Sequence, residues 1–251
     1  MPWHVCAAAA IGRSHVDGGL PCQDAFARTC EGEVLIAVVC DGAGSQPRSH
    51  EGAQALSAEV VAFVAARVRD GAIAPSASLD AMTVCARDAI ASARAALAER
   101  ATRDGAELAH FAATLVGVVA DRDGGWFFHI GDGVGAALDE AGACTVSLPE
   151  NGEYANETYF VTGDEWEAHL RVSPIAGPVA SVLLMSDGAM PFAMTKDLAA
   201  PYRAFFDPVT RYLVSVDAGT GSQALLGTLS DPRTDTITSD DKTLLVALQR
   251  E

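Results

Sequence analysis

The chain has 251 residues, the span of one large domain, with 49% hydrophobic and 20% charged residues, as ordinary globular proteins have. Against 33 acidic residues stand 17 basic ones, and the net charge of −16 excludes the basic stripe that a nucleic-acid or anionic-membrane partner requires. So acidic a surface repels an anionic substrate unless bound cations reverse the local field.

In chain order, residues 5–11 are small and apolar, and 15–21 read as a loop rich in breakers. Residues 34–40 form a continuous β-leaning run, as expected for a strand covered on both faces. Two helical stretches follow. Ala53, Leu56, Val60, Phe63 and Ala66 keep three-and-four spacing up to a stop at Gly71. Leu79, Met82, Ala86, Ile90, Ala93 and Leu97 repeat the stripe, leaving Arg87, Asp88, Arg94 and Glu99 for the wet side, and the two predict an antiparallel pair. Strands are expected at 111–120, 126–131 and 134–138, with a hairpin turn at 121–125 and a further strand at 144–148. The mixed composition of 149–178 predicts a surface flap. A strand at 181–185, helices at 200–214 and 221–229, and a last strand at 243–248 complete the chain.

Each helix pair must cover an apolar sheet face. This order therefore predicts an α+β fold, a four-layer α-β-β-α sandwich of two mainly antiparallel sheets, built as a single domain over 1–251. The six cysteines (Cys6, Cys22, Cys30, Cys40, Cys85, Cys144) show no CxxC spacing and read as reduced, mostly buried residues. The start of the chain has no cationic region before an apolar run, and the alanines at 7–10 are too few to span a bilayer. The expectation is a soluble, cytoplasmic monomer with no membrane or nucleic-acid partner.

Acidic motifs stand where predicted strands end: Asp24 in Cys22-Gln23-Asp24-Ala25, Asp41 in Asp41-Gly42-Ala43-Gly44, Asp187 in Ser186-Asp187-Gly188, and Asp240 and Asp241 before Lys242-Thr243. An apolar run that stops at Asp-Gly delivers a carboxylate to the rim of a sheet. Carboxylates gathered there raise each other's pKa unless counter-charge is supplied. A pair of hard divalent cations supplies it and points to metal-assisted phosphate chemistry.

With Ala113-Thr114-Leu115 and Ile130-Gly131-Asp132-Gly133 added, the motifs and their order resemble the metal-dependent protein phosphatases of the type 2C serine/threonine class. The opening of the chain is most similar to a bacterial branch. The resemblance runs nearly the whole length and implies a phosphoserine/phosphothreonine phosphatase acting on a phosphorylated protein, opposing a serine/threonine kinase. It implies that Asp41 bridges two cations, Mn²⁺ or Mg²⁺, with Asp187 and Asp240 completing the shell of the first. The Gly42 carbonyl would bind the second, with Asp24 beside it. Asp132 resembles a residue that, with Asp187, holds a third cation in some members, and Asp241 would support the ligands from behind. Two cations lower the pKa of a bridging water, which attacks phosphorus in line.

Three positions depart from the family pattern. A phosphate-binding arginine of many relatives falls at Gly19, a glutamate of eukaryotic members at Gln23, and the histidine of their Asp-Gly-His turn at Ala43. His15 and Arg13, in the same loop, are the candidates to supply phosphate binding or proton transfer. These departures also support a second reading, a catalytically weak pseudophosphatase that captures phosphoproteins. Thr114 is expected to satisfy backbone beneath the site and His129 to pack in the core.

Overall fold

The computed structural model describes residues 3–150 and 158–250. Strand β3 (Val34–Cys40) is apolar throughout because both of its faces are covered. Leu35, Ala37 and Val39 enter one buried cluster, while Ile36, Val38 and Cys40 enter another on the opposite face. That alternation sets the layers.

One five-stranded sheet runs in the order β2 (Ala25–Glu31), β3, β4 (Leu115–Ala120), β5 (Gly125–Ile130), β8 (Arg171–Ile175). The other runs β1 (Trp3–Ala10), β10 (Lys242–Gln249), β9 (Ser181–Met185), β6 (Val134–Leu138), β7 (Cys144–Ser147). Every neighbouring pair is antiparallel. The facing sides of the two sheets bury Val5, Leu35, Val118, Phe127, Val182, Leu184 and Leu245 between them. Helices α2 (Ser49–Arg69) and α3 (Leu79–Asp104) cover the outer face of the first sheet through Leu56, Val60, Ile90 and Leu97. Helices α5 (Arg203–Leu213) and α6 (Ala218–Leu229) cover the second through Leu213, Leu225 and Leu229. The four-layer α+β sandwich expected from the order of elements is the observed fold.

Local chemistry places the helix ends. The Ser78 hydroxyl accepts from the Ala81 amide at the start of α3, and Asp217 accepts from Gly219 and Thr220 at the start of α6. Helix α3 closes on Gly105, whose φ of +64° suits glycine. Lys242, fully buried at the start of β10, pairs its Nζ with Asp235 Oδ1 at 2.9 Å, which meets the requirement that a buried charge be partnered.

Some elements differ from expectation. Residues 3–10 and 25–31 are strands that the pattern did not single out, since alanines carry no β signal and β2 alternates only weakly. The loop expected at 15–21 is overlapped by the short helix α1 (Arg13–Gly18). The strand expected from residue 111 begins at Leu115, because Leu108–Phe111 form a 3₁₀ turn. A short helix α4 (Met190–Ala193) follows β9.

The stretch 149–178, expected as a surface flap, includes residues 151–157, which lie outside the described residues. Its remainder is anchored. Val161 and Trp166 are buried with α2 and α3, and Arg94, expected on the wet side of α3, donates to the Val161 carbonyl at 2.9 Å. β8 forms the edge of its sheet, where Pro174 is tolerated. All six cysteines are free, with Cys6, Cys40 and Cys85 buried and the other three partly exposed.

Candidate metal centre

The register between strands brings the acidic motifs to one end of the sandwich. Ala25 pairs with Cys40, so Asp24, preceding β2, and Asp41, following β3, leave adjacent strand ends. In the other sheet Leu244 pairs with Met185, which sets Asp240 and Asp241 beside Ser186 and Asp187. Asp132 lies in the turn where β5 of one sheet passes into β6 of the other. The clustering follows from pairing across two sheets.

Ligand oxygens of Asp41, Asp132 and Asp187 lie within 4.8 Å of one another. Asp240 is exposed beside this group and acts on it through its charge, raising the pKa of both Asp132 and Asp187. Asp24 is buried, and its Oδ2 accepts from the Ser186 hydroxyl at 2.6 Å. The Ser186 oxygen in turn accepts from the Thr243 amide at 2.9 Å. Buried oxygens of Asp24, Asp132 and Asp187 (Oδ1 of each) have no hydrogen-bond partner among the described residues. Orphaned buried carboxylate oxygens, all hard donors, fit a divalent cation such as Mg²⁺ or Mn²⁺.

The electrostatics point the same way. Burial, reinforced by the charges of Asp24 and Asp187, pushes Asp41 well above the ordinary carboxylate range. Burial pushes Asp24 up to about 7, overriding the hydrogen bond from the Ser186 hydroxyl. Asp187 is pushed up to about 6, by burial and then by Asp132. Asp132 is raised by burial against the opposing effect of Thr158, whose hydroxyl donates to its Oδ2 at 2.7 Å. None of the leading contributions to these four groups comes from a lysine or arginine. Counter-charge from a bound cation would relieve this repulsion.

Backbone contacts hold the carboxylates in place. Asp41 donates its amide to the Thr114 hydroxyl at 3.1 Å and accepts from the Thr114 amide at 2.8 Å, the supporting role expected for Thr114. A side chain on Gly12 would run into the backbone of Asp240, and one on Gly188 into the carbonyl of Asp241. Those two glycines clamp the 239–241 loop from both sides. Within the clamp, the buried Asp241 carboxylate accepts from the Gly12 amide at 2.6 Å and from the Gln23 amide, and lies 2.9 Å from His15 Nδ1. It ties α1, the lead into β2 and the lead into β10 together. Replacing Asp241 by alanine orphans the buried Gly12 and Gln23 amides, and urea denaturation of the metal-free variant is expected to show a loss of about 3 kcal/mol.

The candidates of the opening loop separate. His15 is buried against Asp241 and faces the 41–46 loop, its Nε2 3.9 Å from where a Cβ on Gly44 would sit. Arg13 is exposed and meets Asp17 in the same helix at 3.5 Å, so the structure does not bring it to the cluster. Gly19, where an arginine was the family's choice, caps α1 with φ of +64°, a conformation that disfavours any side chain. His129 packs in the core, bonded to Ser147 at 3.0 Å, and burial pulls its pKa down to about 3. Sequence reasoning missed Ser186 and Thr158. Ser186 carried the signal of preceding Asp-Gly, whereas Thr158 stood in a stretch with no pattern.

The model of the family described as protein phosphatase 2C matches residues 11–230. The chain belongs to the protein phosphatase 2C family. Serine/threonine-protein phosphatase 3 of Escherichia coli (strain K12) is 32% identical to this phosphatase over 263 residues, covering 100% of both chains. Among solved structures, serine-threonine phosphatase 2C from Toxoplasma gondii shares the fold with a TM-score of 0.67 at 11% identity, over 99% of this chain and 95% of that one. Serine/threonine phosphatase Stp1 from Staphylococcus aureus shares it with a TM-score of 0.61 at 14% identity, over 98% and 95%. At such identities the likeness is one of fold. The chain is a phosphoprotein phosphatase of the serine/threonine type, in a metal-dependent family, and its acidic cluster is compatible with a metal site. A pseudophosphatase that only captures phosphoproteins is not favoured.

Proposed function

We propose that this phosphatase hydrolyses phosphoserine and phosphothreonine in proteins with two Mn²⁺ or Mg²⁺ ions, a third binding more loosely. The observation that carries this reading is the convergence of the Asp41, Asp132 and Asp187 oxygens within 4.8 Å, two of these residues keeping orphaned buried oxygens. Asp41, Asp187, Asp240 and Asp132, with Asp24 and the Gly42 carbonyl, are the groups that would hold the ions, Asp41 being shared between them on this reading. When bound, the ions neutralise the phosphoryl oxygens and make a nucleophile of water at neutral pH. The chain itself holds the carboxylates rigid. Thr114 fixes Asp41, Ser186 fixes Asp24, Thr158 fixes Asp132, and Asp241 fixes the segments that carry Asp24 and Asp240. His15, anchored at Nδ1 by Asp241, is positioned to bind phosphate or move a proton at Nε2. Arg13 would reach phosphate only by leaving Asp17.

The protein acts as a single-domain monomer in the cytoplasm, opposing a serine/threonine kinase. Among the described residues no helix is long and apolar enough to cross a membrane, and the net charge of −16 disfavours nucleic acid. The purified protein is expected to hydrolyse an aryl phosphate and a phosphothreonine peptide in Mn²⁺ or Mg²⁺. Excess EDTA should abolish both activities, and restored metal should recover them; turnover that persists in EDTA rules the reading out.

A further inference from the structure

A cavity of about 600 Å³ opens beside the carboxylate cluster, between the loop after β3 and the segment around residues 158–169. Cavity and cluster share a wall. Ala43, two residues past Asp41, lines it, and so does Thr158, whose hydroxyl is bonded to Asp132. Phe160 and Trp166 also line it, together with the exposed residues Asp164 and Glu165. Among the described residues no lysine or arginine lines the cavity, and neither Asp164 nor Glu165 has an ion-pair partner. Thr162 also lines it. That residue is 7% exposed, and its hydroxyl makes no hydrogen bond among the described residues.

Resting on the phosphatase reading, we infer that this cavity receives a basic side chain of the phosphoprotein substrate, a lysine or arginine within a few residues of the phosphorylated serine or threonine. In an extended peptide each residue advances about 3.3 Å, and alternate side chains face the same way. A phosphoryl group held at the cluster therefore leaves a neighbouring side chain of the same peptide over the shared wall. Lysine and arginine carry a long apolar stem and a charged tip. The aromatic rings of Phe160 and Trp166 suit the stem, Asp164 and Glu165 suit the tip, and the Thr162 hydroxyl adds an acceptor to the lining. An acidic neighbour would meet two unpaired carboxylates in a protein already at −16.

The test uses two phosphothreonine peptides, one with arginine at the flanking positions and one with alanine there, assayed with the metal-loaded protein. The unaltered protein is expected to prefer the basic peptide in kcat/KM. In the Asp164→Asn/Glu165→Gln double variant the ratio of the two values should fall about fivefold, the scale set by two partly exposed ion pairs. Because each ratio is taken within one protein, a general loss of activity in the variant cancels. Equal kcat/KM for both peptides in the unaltered protein, or an unchanged ratio in the variant, overturns the inference. Absence of aryl-phosphate turnover in the unaltered protein would instead overturn the phosphatase reading. Fluorescence anisotropy of the same two peptides then decides the cavity's preference without turnover, equal affinities counting against it.

Discussion

Replacing Asp41 by asparagine is expected to lower metal-dependent phosphatase turnover about a thousandfold while raising the melting temperature of the metal-free protein. The two effects have one cause. Asp41 is flanked by Asp24 and Asp187, and burial together with those charges pushes its pKa well above the ordinary range. In the metal-free fold the charged carboxylate is therefore disfavoured relative to the unfolded chain, and that costs stability wherever the unfolded carboxyl is ionised. Asparagine keeps the shape and removes the cost. It also removes an anionic oxygen from the cluster that would hold the metal, and the loss of several kcal/mol of transition-state charge stabilisation corresponds to about three decades in rate. Steady-state kinetics with saturating Mn²⁺ and thermal denaturation in EDTA measure the two halves. Wild-type turnover in the variant would remove Asp41 from the mechanism.

The second large effect is a pH dependence that metal reverses. Asp24 ionises near 3.8 in the unfolded chain and near 7 in the metal-free fold. The folded state thus binds more protons through that interval, and stability falls as pH rises from about 4 to about 7. For a shift of this size the loss is on the order of 4 kcal/mol. Asp187, pushed up to about 6, adds in the same direction. His129 works the other way: held near 3 in the fold, it favours the folded state as pH rises up to the histidine range. Comparison with an Asp24→Asn variant isolates the aspartate. In EDTA, the stability of the variant relative to the unaltered protein should grow from pH 4 to pH 7 and then level off. Divalent metal competes with the same protons, so the stabilisation by Mn²⁺ should increase over that interval. A stability difference that is flat with pH in EDTA would show that Asp24 is not desolvated as the structure has it.

Both effects were foreshadowed in the sequence to different degrees. The strand ends were legible because β3 is apolar at every position and stops at Asp41-Gly42, and because Ser181–Met185 does the same before Asp187. The helix pair over the first sheet was legible from the three-and-four spacing of α2 and α3. β1 and β2 were not, since an alanine run and a weakly alternating segment become strands only when β10 and β3 offer them hydrogen bonds. Likewise α1 was hidden among glycines, and it took the fold to show that His15 points inward while Arg13 points out. Resemblance grouped Asp41 with Asp187 and Asp240. The geometry groups Asp41 with Asp187 and Asp132 and leaves Asp240 at the exposed rim.

By itself the sequence determined that Asp41 and Asp187 would stand at strand ends, how many layers would form and that a helix pair would cover each sheet. Those properties depend on local periodicity and on turn chemistry at Asp-Gly. Which carboxylates meet, which lose their water and which rest on Asp241, Ser186 or Thr158 was decided only by the tertiary structure. Contacts between residues as distant as Asp24 and Ser186, or Gly12 and Asp241, arise from strand register across two sheets, and a linear pattern carries no record of register between strands that are far apart in the chain.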